Sequence, residues 1–305
     1  MSSRPRFAPL AERPGNLLAA EEARPVGRER PLGRILREAS MITDKQIGEI
    51  LAYQRSRGLC FGEAAVELKL VTREDVAWAV AQQFEYPVAH DGAPGNAELV
   101  VATKPFGREA EAFRELRTQL LMGVMAQDVP LCALAIVSAD IGDGRTYVAA
   151  NVAVAFSQLD GGGTLLLDAN LRCPRQQTLF GMESGMPGLA AVLAGRADPR
   201  VIQPMRQLPS LHVLPAGALP PNPLELLQRP VFGHLLRDFL GRFAYVIVDT
   251  PAASQGADAR VIAAACGASL VVTRKGRSRM GATDTLLKAL SKGPGRIAGV
   301  VMNDH

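Results

Sequence analysis

One stretch of the chain, residues 131–175, constrains the fold more than any other. It opens with seven mostly apolar residues, Leu131 to Val137, which suit a strand buried on both faces of a parallel sheet. A glycine-rich turn follows at 138–146, and apolar residues then recur at spacings of three and four, as on one face of a helix. The sequence therefore predicts a strand, a turn and a helix in direct succession.

The turn partly matches the phosphate-binding P-loop template G-x-x-x-x-G-K-[ST]. Gly142 and Gly144 lack side chains, so backbone N–H groups can surround a phosphate beside the positive end of the helix. Thr146 keeps the hydroxyl that would hold magnesium, but Ala139 and Arg145 stand where the template has Gly and Lys. Taken alone, the turn is weak support for a phosphate site, and an ordinary strand–helix connection remains open.

Composition limits the class of protein. A chain of 305 residues with 48% hydrophobic content suits about two domains. No apolar run approaches the ~18 residues of a membrane span, and the first residues do not look like a signal peptide. The four cysteines lack metal-ligand spacing, which favours a reduced, cytoplasmic protein. A net charge of +4 and 5% aromatic residues do not suggest a nucleic-acid partner.

The chain divides into four predicted segments. Residues 1–28 carry prolines among mixed charges and are expected to be a disordered tail. Residues 29–88 contain a repeat of period 29, two 24-residue units that each predict a short helix, an N-cap at Thr43 or Thr72, and a longer helix. Residues 89–104 read as a linker with one strand at 98–102, and residues 105–305 form the main domain.

In the main domain, apolar strand-like segments alternate with amphipathic helices. The strands are predicted at 164–167, 211–214, 245–249, 269–273 and 297–302, and the helices at 108–125, 231–243, 257–265 and 281–291. Alternation of this kind specifies an α/β fold, a doubly wound parallel sheet.

Two acidic residues directly follow predicted strands, as does the glycine turn. Asp168 and Asp249 should therefore meet that turn at the carboxyl edge of the sheet, where such folds bind ligands. A P-loop and two carboxylates at one edge are what a magnesium–nucleotide complex needs. By contrast, Glu111, Arg114 and Arg117, spaced by three on the first helix, favour an ordinary solvated face when considered alone.

Several motifs in order resemble one known family. Residues 105–304 are similar to the bacterial tyrosine kinases of polysaccharide export, and more narrowly to the chain-length-determinant kinases of exopolysaccharide operons. The residues that carry the resemblance are Glu111-x-x-Arg114-x-x-Arg117, the turn at 138–147, and the segments 165–172, 214–227, 246–251 and 299–303.

The repeat at 29–88 resembles the N-terminal module of type II secretion and pilus ATPases, some of which bind cyclic di-GMP. The binding motif of that module begins with an arginine ahead of Leu-Gly. Pro31 and Cys60 occupy those places here, so cyclic di-GMP binding is not expected, although Arg30 and Arg34 lie near the first of them. A small helical protein-interaction module is the simpler interpretation.

The resemblance implies an ATP-binding P-loop domain that uses Mg²⁺. It implies a homo-oligomer, and a membrane chain-length-determinant protein that activates the kinase and anchors it peripherally at the inner membrane. The residue roles that it implies are catalysis by Asp168, Arg145 and Arg172; nucleotide binding by Gly142, Asp143, Gly144, Arg145, Thr146, Tyr147 and Asn303; metal binding by Thr146, Asp168 and Asp249; and an oligomer interface at Glu111, Arg114 and Arg117.

Three departures from the family pattern leave the activity open. Arg145 replaces a lysine, Asn170 replaces a second aspartate, and the family's C-terminal tyrosine cluster has no counterpart before His305. One hypothesis is an ATP-dependent tyrosine kinase that regulates exopolysaccharide polymerisation and export. The second is a weak or inactive pseudokinase adaptor with the same partner. The third, a partition-type ATPase, needs an early P-loop lysine where Ala139 and Asp140 stand.

Overall fold

The computed structural model describes residues 31–39, 41–83, 96–126, 128–159 and 161–304. The predicted tail at 1–28 lies outside them. The strands are β1 Ala133–Val137, β2 Thr164–Asp168, β3 Gln203–Met205, β4 Leu208–Leu214, β5 Tyr245–Asp249, β6 Gly267–Arg274 and β7 Arg296–Asn303. The helices are α1 Leu32–Glu38, α2 Asp44–Arg57, α3 Phe61–Glu67, α4 Arg73–Gln83, α5 Val100–Thr103, α6 Arg108–Met122, α7 Arg145–Ser157, α8 Gln176–Leu179, α9 Leu189–Leu193, α10 Pro223–Leu227, α11 Pro230–Arg242, α12 Asp258–Cys266 and α13 Met280–Ser291.

The strands form one seven-stranded sheet in the order β3-β4-β2-β5-β1-β6-β7. Every neighbouring pair is parallel except β3 with β4. From β1 the chain moves to β2 on one side, whereas β6 lies on the other side of β1. The carboxyl end of β1 is therefore the place where a doubly wound sheet binds its ligand. The predicted parallel α/β sheet is confirmed. Strand β3, which pairs antiparallel with β4, was not predicted, because a segment of three residues is too short to show a strand pattern.

Helices cover both faces of the sheet and bury the apolar side chains of the strands. One core cluster joins the sheet to α9 and to α10–α13, and the other joins the opposite face to α5, α6 and α7. Helix α7 is buried on all sides except at Tyr147. Its small residues, four alanines among them, let the sheet and the two covering helices approach closely.

The segment before α6 differs from the sequence prediction. A strand was expected at 98–102, within the linker 89–104, but the structure has helix α5 at Val100–Thr103. That prediction of a strand is wrong. The four consecutive side chains from Leu99 to Ala102 are all buried, and they pack into the cluster that covers α7. A short apolar run has no period that separates a strand from a helix, so burial against α7 decided the outcome.

Residues 31–83 form the four helices that the repeat predicts, and the starts of α1 and α3, like those of α2 and α4, lie 29 residues apart. The predicted N-caps are confirmed. The Gln46 N–H donates to Thr43 Oγ1 at 3.3 Å, and the Asp75 N–H donates to Thr72 Oγ1 at 3.1 Å. The likeness of this segment to a secretion-ATPase module stays a prediction. Within the described residues no helix is long and apolar enough to cross a membrane.

A close backbone approach fixes α9 against the loop that follows β4. The Leu189 and Ala190 N–H groups donate to the carbonyls of Pro215 and Ala216 at 2.8 and 3.0 Å. A Cβ atom on Gly188 would lie 2.2 Å from Pro215 O and 2.5 Å from Gly217 N. The absence of a side chain at Gly188 is therefore what allows this contact.

We expect Gly188→Ala to lower the free energy of unfolding by about 2–3 kcal/mol, because the methyl group meets backbone atoms that cannot move independently. The matched control is Gly233→Ala in α11, where the nearest atom to a new Cβ lies at 3.8 Å. That change should leave stability equal or raise it by up to about 1 kcal/mol. Urea unfolding measures both, and equal values for the two variants would contradict the prediction.

Candidate functional site

The turn between β1 and α7 contains two glycines in a backbone conformation that other residues rarely adopt. Gly142 and Gly144 have φ values of +86° and +97°, in the left-handed region that favours glycine. A Cβ atom on Gly144 would lie 2.1 Å from Nδ2 of Asn303, which donates to the carbonyl of Asp143 at 3.3 Å. The loop is therefore closed against the end of β7 by Asn303, and the predicted nucleotide contact of Asn303 stays a prediction.

The loop is also held by the connection between β6 and α13. The buried Asp143 carboxylate accepts hydrogen bonds from the Asp140 N–H at 2.9 Å and from Ser278 Oγ at 2.6 Å. Arg274 Nη1 donates to the carbonyl of Gly142 at 3.1 Å, and Arg279 pairs with Asp140 at 3.1 Å. Asp143, predicted to bind nucleotide, thus also fixes the shape of the loop.

Arg145 is buried and directs its guanidinium into the loop itself. Nε donates to the carbonyl of Thr250 at 3.0 Å, and Nη1 donates to the carbonyl of Asp140 at 2.8 Å and to the hydroxyl of Ser138. Burial lowers the pKa of Arg145, and the charges of Asp249 and Asp143 act in the opposite sense. The side chain at the family's lysine position therefore joins the loop to the end of β5.

The two aspartates lie side by side, as the sequence predicts. Asp168 and Asp249 are register partners at the ends of β2 and β5, and both are fully buried. Asp168 accepts hydrogen bonds at 3.1 Å from the N–H groups of Asn170 and Gln176. Burial raises the pKa of Asp168, and the neighbouring Asp249 raises it further. Burial also raises the pKa of Asp249, against the charge of Arg145 and a side-chain hydrogen bond from Thr146.

Gln176 connects these groups, and nothing in the sequence marked it. Its Nε2 donates to Asp249 Oδ2 at 3.0 Å and to the carbonyl of Thr146 at 3.1 Å, while its backbone N–H reaches Asp168. Gln176 thus fixes both acids relative to the first turn of α7. An isolated amide residue outside the glycine and acid motifs gives no signal of such a role.

These residues fit a magnesium ion. Asp249 Oδ1 is buried and has no hydrogen-bond partner among the residues described, and the Thr146 side chain hydrogen-bonds to the same carboxylate. Mg²⁺ takes oxygen ligands, commonly one or two carboxylates together with phosphate oxygens. The described part of the chain has no cluster of three or more His, Cys, Asp or Glu residues that could form an all-protein cage. Water or a ligand would therefore supply the remaining oxygens of a bound Mg²⁺.

A cavity of about 650 Å³ opens beside the loop. That volume suits a ligand the size of a nucleotide. Its walls are the loop, α7, the segment after β2, and the chain around α5. Tyr147 lines it and packs edge-on against Phe113, with ring centroids 5.7 Å apart. Burial, with smaller contributions from Glu109 and Glu98, raises the pKa of Tyr147 to about 12, so its hydroxyl stays protonated.

Two polar residues after β2 turn away from the acids. Asn170 Nδ2 donates to the carbonyl of Cys173 at 2.7 Å, and its Oδ1 accepts the Cys173 N–H at 3.1 Å. Arg172 makes a two-point contact with the buried Asp258, at 3.2 and 3.0 Å. Arg172 therefore ties this loop to α12, and its predicted catalytic role stays a prediction.

The predicted oligomer-interface residues on α6 make contacts within the chain. Arg114 pairs with Glu111 at 2.7 Å and donates to the carbonyl of Pro105. Arg117 Nη1 donates to the carbonyl of Ala155 at 2.6 Å, in the last turn of α7. The negative end of the helix dipole stabilises the positive charge of Arg117 there. An interface at these residues stays a prediction.

The fold and the site together define the class of protein. A parallel sheet with a glycine loop after β1, and aspartates at the ends of β2 and β5, is the arrangement of a P-loop nucleotide-binding domain. Comparison with known proteins then identifies the group within this class.

No family model matches the chain. It is 30% identical over 193 residues to the tyrosine-protein kinase CpsD of Streptococcus agalactiae, covering 63% of this chain and 82% of that protein. It is 30% identical over 212 residues to the tyrosine-protein kinase YwqD of Bacillus subtilis, covering 70% of this chain and 88% of that protein. The kinase domain of the Escherichia coli tyrosine kinase ETK matches with a TM-score of 0.63 at 32% identity, covering 67% of this chain and 79% of that one. The chain belongs to the bacterial tyrosine-protein kinase family.

The buried acids predict how stability depends on pH. Because folding raises the pKa of Asp168, the folded chain holds a proton that the unfolded chain releases, in the range between the ordinary and the raised value. The free energy of unfolding should therefore fall as pH rises through that range. Urea unfolding between about pH 5 and about pH 8 in a metal chelator measures this slope. Asp168→Asn should flatten it and exposed Asp284→Asn should not; equal slopes for Asp168→Asn and wild type would contradict the prediction.

The contacts of Arg145 predict the effect of restoring the family's lysine. We expect Arg145→Lys to lower the free energy of unfolding by about 1–3 kcal/mol, because one ammonium cannot replace donors aimed at three separate acceptors. The matched control is Arg260→Lys on the exposed side of α12, which should change stability by less than about 0.5 kcal/mol. Thermal and urea unfolding give the comparison, and an unchanged Arg145→Lys variant would show that the buried contacts contribute nothing.

Proposed function

We propose that this chain binds Mg²⁺–ATP between the β1–α7 loop and the two aspartates, and acts as a protein-tyrosine kinase in exopolysaccharide polymerisation and export. The observation that carries the proposal is the pair of buried carboxylates beside the Thr146 side chain, with one Asp249 oxygen that no described residue hydrogen-bonds. Membership of a family whose relatives are named tyrosine-protein kinases supports the reaction class.

In this proposal the residues have distinct roles. Backbone N–H groups between Gly142 and Thr146 bind the phosphates at the positive end of α7. Thr146, Asp168 and Asp249 hold Mg²⁺, which when bound neutralises charge on the transferred phosphoryl group. By the family resemblance, Asp168 in its ionised form would accept the proton of an attacking tyrosine hydroxyl, and bound Mg²⁺ would favour that form. Asn303 and Tyr147 border the space for the nucleoside.

A second candidate function, a catalytically weak adaptor, is favoured by two specific observations. The donors of Arg145 are engaged by the loop and by Thr250, and the amide of Asn170 is engaged by Cys173. A positioned donor for the transferred phosphate contributes roughly 10²–10³ in rate, and a neutral amide cannot act as a base. Nucleotide binding without turnover would follow if nothing else supplies the missing groups.

The proposed cellular setting rests on the family resemblance. We propose that the chain works at the inner membrane through a membrane chain-length-determinant partner, and that copies of the chain associate through Glu111, Arg114 and Arg117. Because Arg114 and Arg117 are bonded within the chain, association would require one of these contacts to be shared or exchanged.

The test of the proposal measures binding and chemistry separately. Mg²⁺–ADP should raise the melting temperature of the wild-type chain by mass action, and Thr146→Ala and Asp249→Ala should reduce that rise. Exposed Thr285→Ala on α13 is the control and should retain it. Radiolabelled ATP and a tyrosine-containing peptide substrate then report phosphoryl transfer.

Three outcomes of this test distinguish the kinase from the catalytically weak adaptor. Binding with phosphoryl transfer that Asp168→Asn abolishes supports the kinase, and binding without transfer supports the adaptor. The absence of any melting shift at millimolar ADP and ATP would remove both, because each depends on an occupied nucleotide site.

A further inference from the structure

Four cationic side chains line the cavity beside the loop, and three of them are already engaged. Arg145 is bonded to the loop and to Thr250, as described above. Arg175 Nη2 pairs with Glu98 Oε1 at 2.8 Å, and Arg274 Nη1 donates to the carbonyl of Gly142 at 3.1 Å. The fourth is Lys104, whose ammonium has no hydrogen bond or ion pair with the residues that the structure describes.

The backbone that carries Lys104 is fixed relative to the loop. The fully buried Asn151 of α7 accepts the Val101 N–H at 3.1 Å, and its Nδ2 donates to the carbonyls of Glu98 at 2.8 Å and Tyr147 at 3.0 Å. One amide side chain thus connects α5 to the first turn of α7. The Lys104 N–H donates to Val100, and its carbonyl accepts the Gly107 N–H at 2.8 Å.

We propose that Lys104 is the cation that binds the terminal phosphate of a nucleoside triphosphate in this site. This inference rests on the proposed function and adds the residue that supplies the charge which the family takes from the loop lysine. Arg145 keeps the position of that lysine but is turned into the loop. Lys104 lines the same cavity, on a fixed backbone and a flexible side chain.

The other cations are less suited to this role. Arg175 would have to leave Glu98, and Arg274 would have to release the carbonyl that holds Gly142 in place. An ammonium on a four-carbon chain is a mobile point charge that can follow a phosphate group. Lys104 is exposed, so it loses no existing partner when it binds one.

The experiment compares the binding of fluorescent ATP and ADP analogues, each with Mg²⁺, to wild type and three variants. Lys104→Gln should lower the affinity for ATP by roughly 10- to 100-fold and the affinity for ADP by less than about 3-fold, because only ATP carries the terminal phosphate that Lys104 binds. Lys104→Arg should retain ATP binding to within about 3-fold. The control Lys292→Gln, an equal charge change on an exposed lysine after α13, should match wild type.

The results distinguish a failure of the proposed Lys104 role from a failure of the proposed function. Wild-type ATP binding that Lys104→Gln leaves unchanged would overturn the role of Lys104 and leave the proposed function intact. If Lys104→Gln lowers the affinity for ATP and for ADP equally, and Lys104→Arg does not restore either, Lys104 has a structural role and the inference is overturned. A wild-type chain that binds neither nucleotide would overturn the proposed function and, with it, this inference. Matching melting temperatures of the four proteins without nucleotide establish that the variants are folded.

Discussion

The structure depends on placing two carboxylates next to each other inside the protein. Asp168 and Asp249 are buried and adjacent, which desolvates both and sets like charges together. Gln176, the Asn170 N–H and the charge of Arg145 offset this penalty only in part, since one oxygen of Asp249 has no hydrogen-bond partner in the part of the chain that the structure describes. A cation bound between the acids would remove this penalty, and the loop and α7 fix the geometry of the edge around them.

Much of this arrangement could be predicted because it follows from local rules. Buried strands alternating with helices give the parallel sheet, and in such a sheet a residue that follows a strand must lie at the carboxyl edge. That rule places Asp168, Asp249 and the glycine turn together from the sequence alone. Thr43 and Thr72 were equally predictable as helix caps, because a cap is determined by its neighbours within three residues.

What the sequence could not predict depends on contacts between distant segments. The direction of the Arg145 side chain depends on the carbonyl of Thr250, which lies 105 residues away along the chain. Gln176 has its role only because β2 and β5 are neighbours, and α5 is helical because α7 offers it a buried surface. In the sequence, Asn170 reads as the loss of the family's second aspartate. In the structure its side-chain N–H donates to the carbonyl of Cys173, and an ionised aspartate could not make that hydrogen bond.

The side chain of Asn151 has a mechanical consequence. Residues 99–102 pack against α7, and the side chain of Asn151 bonds the segment 98–103 to the first turn of that helix. Two hydrogen bonds, from the Val101 N–H and to the carbonyl of Glu98, join this segment to Asn151, and a third joins Asn151 to the carbonyl of Tyr147 in the first turn of the same helix. A displacement of residues 98–103 would therefore reach the first turn of α7, where Arg145 and Thr146 lie, through one buried amide side chain.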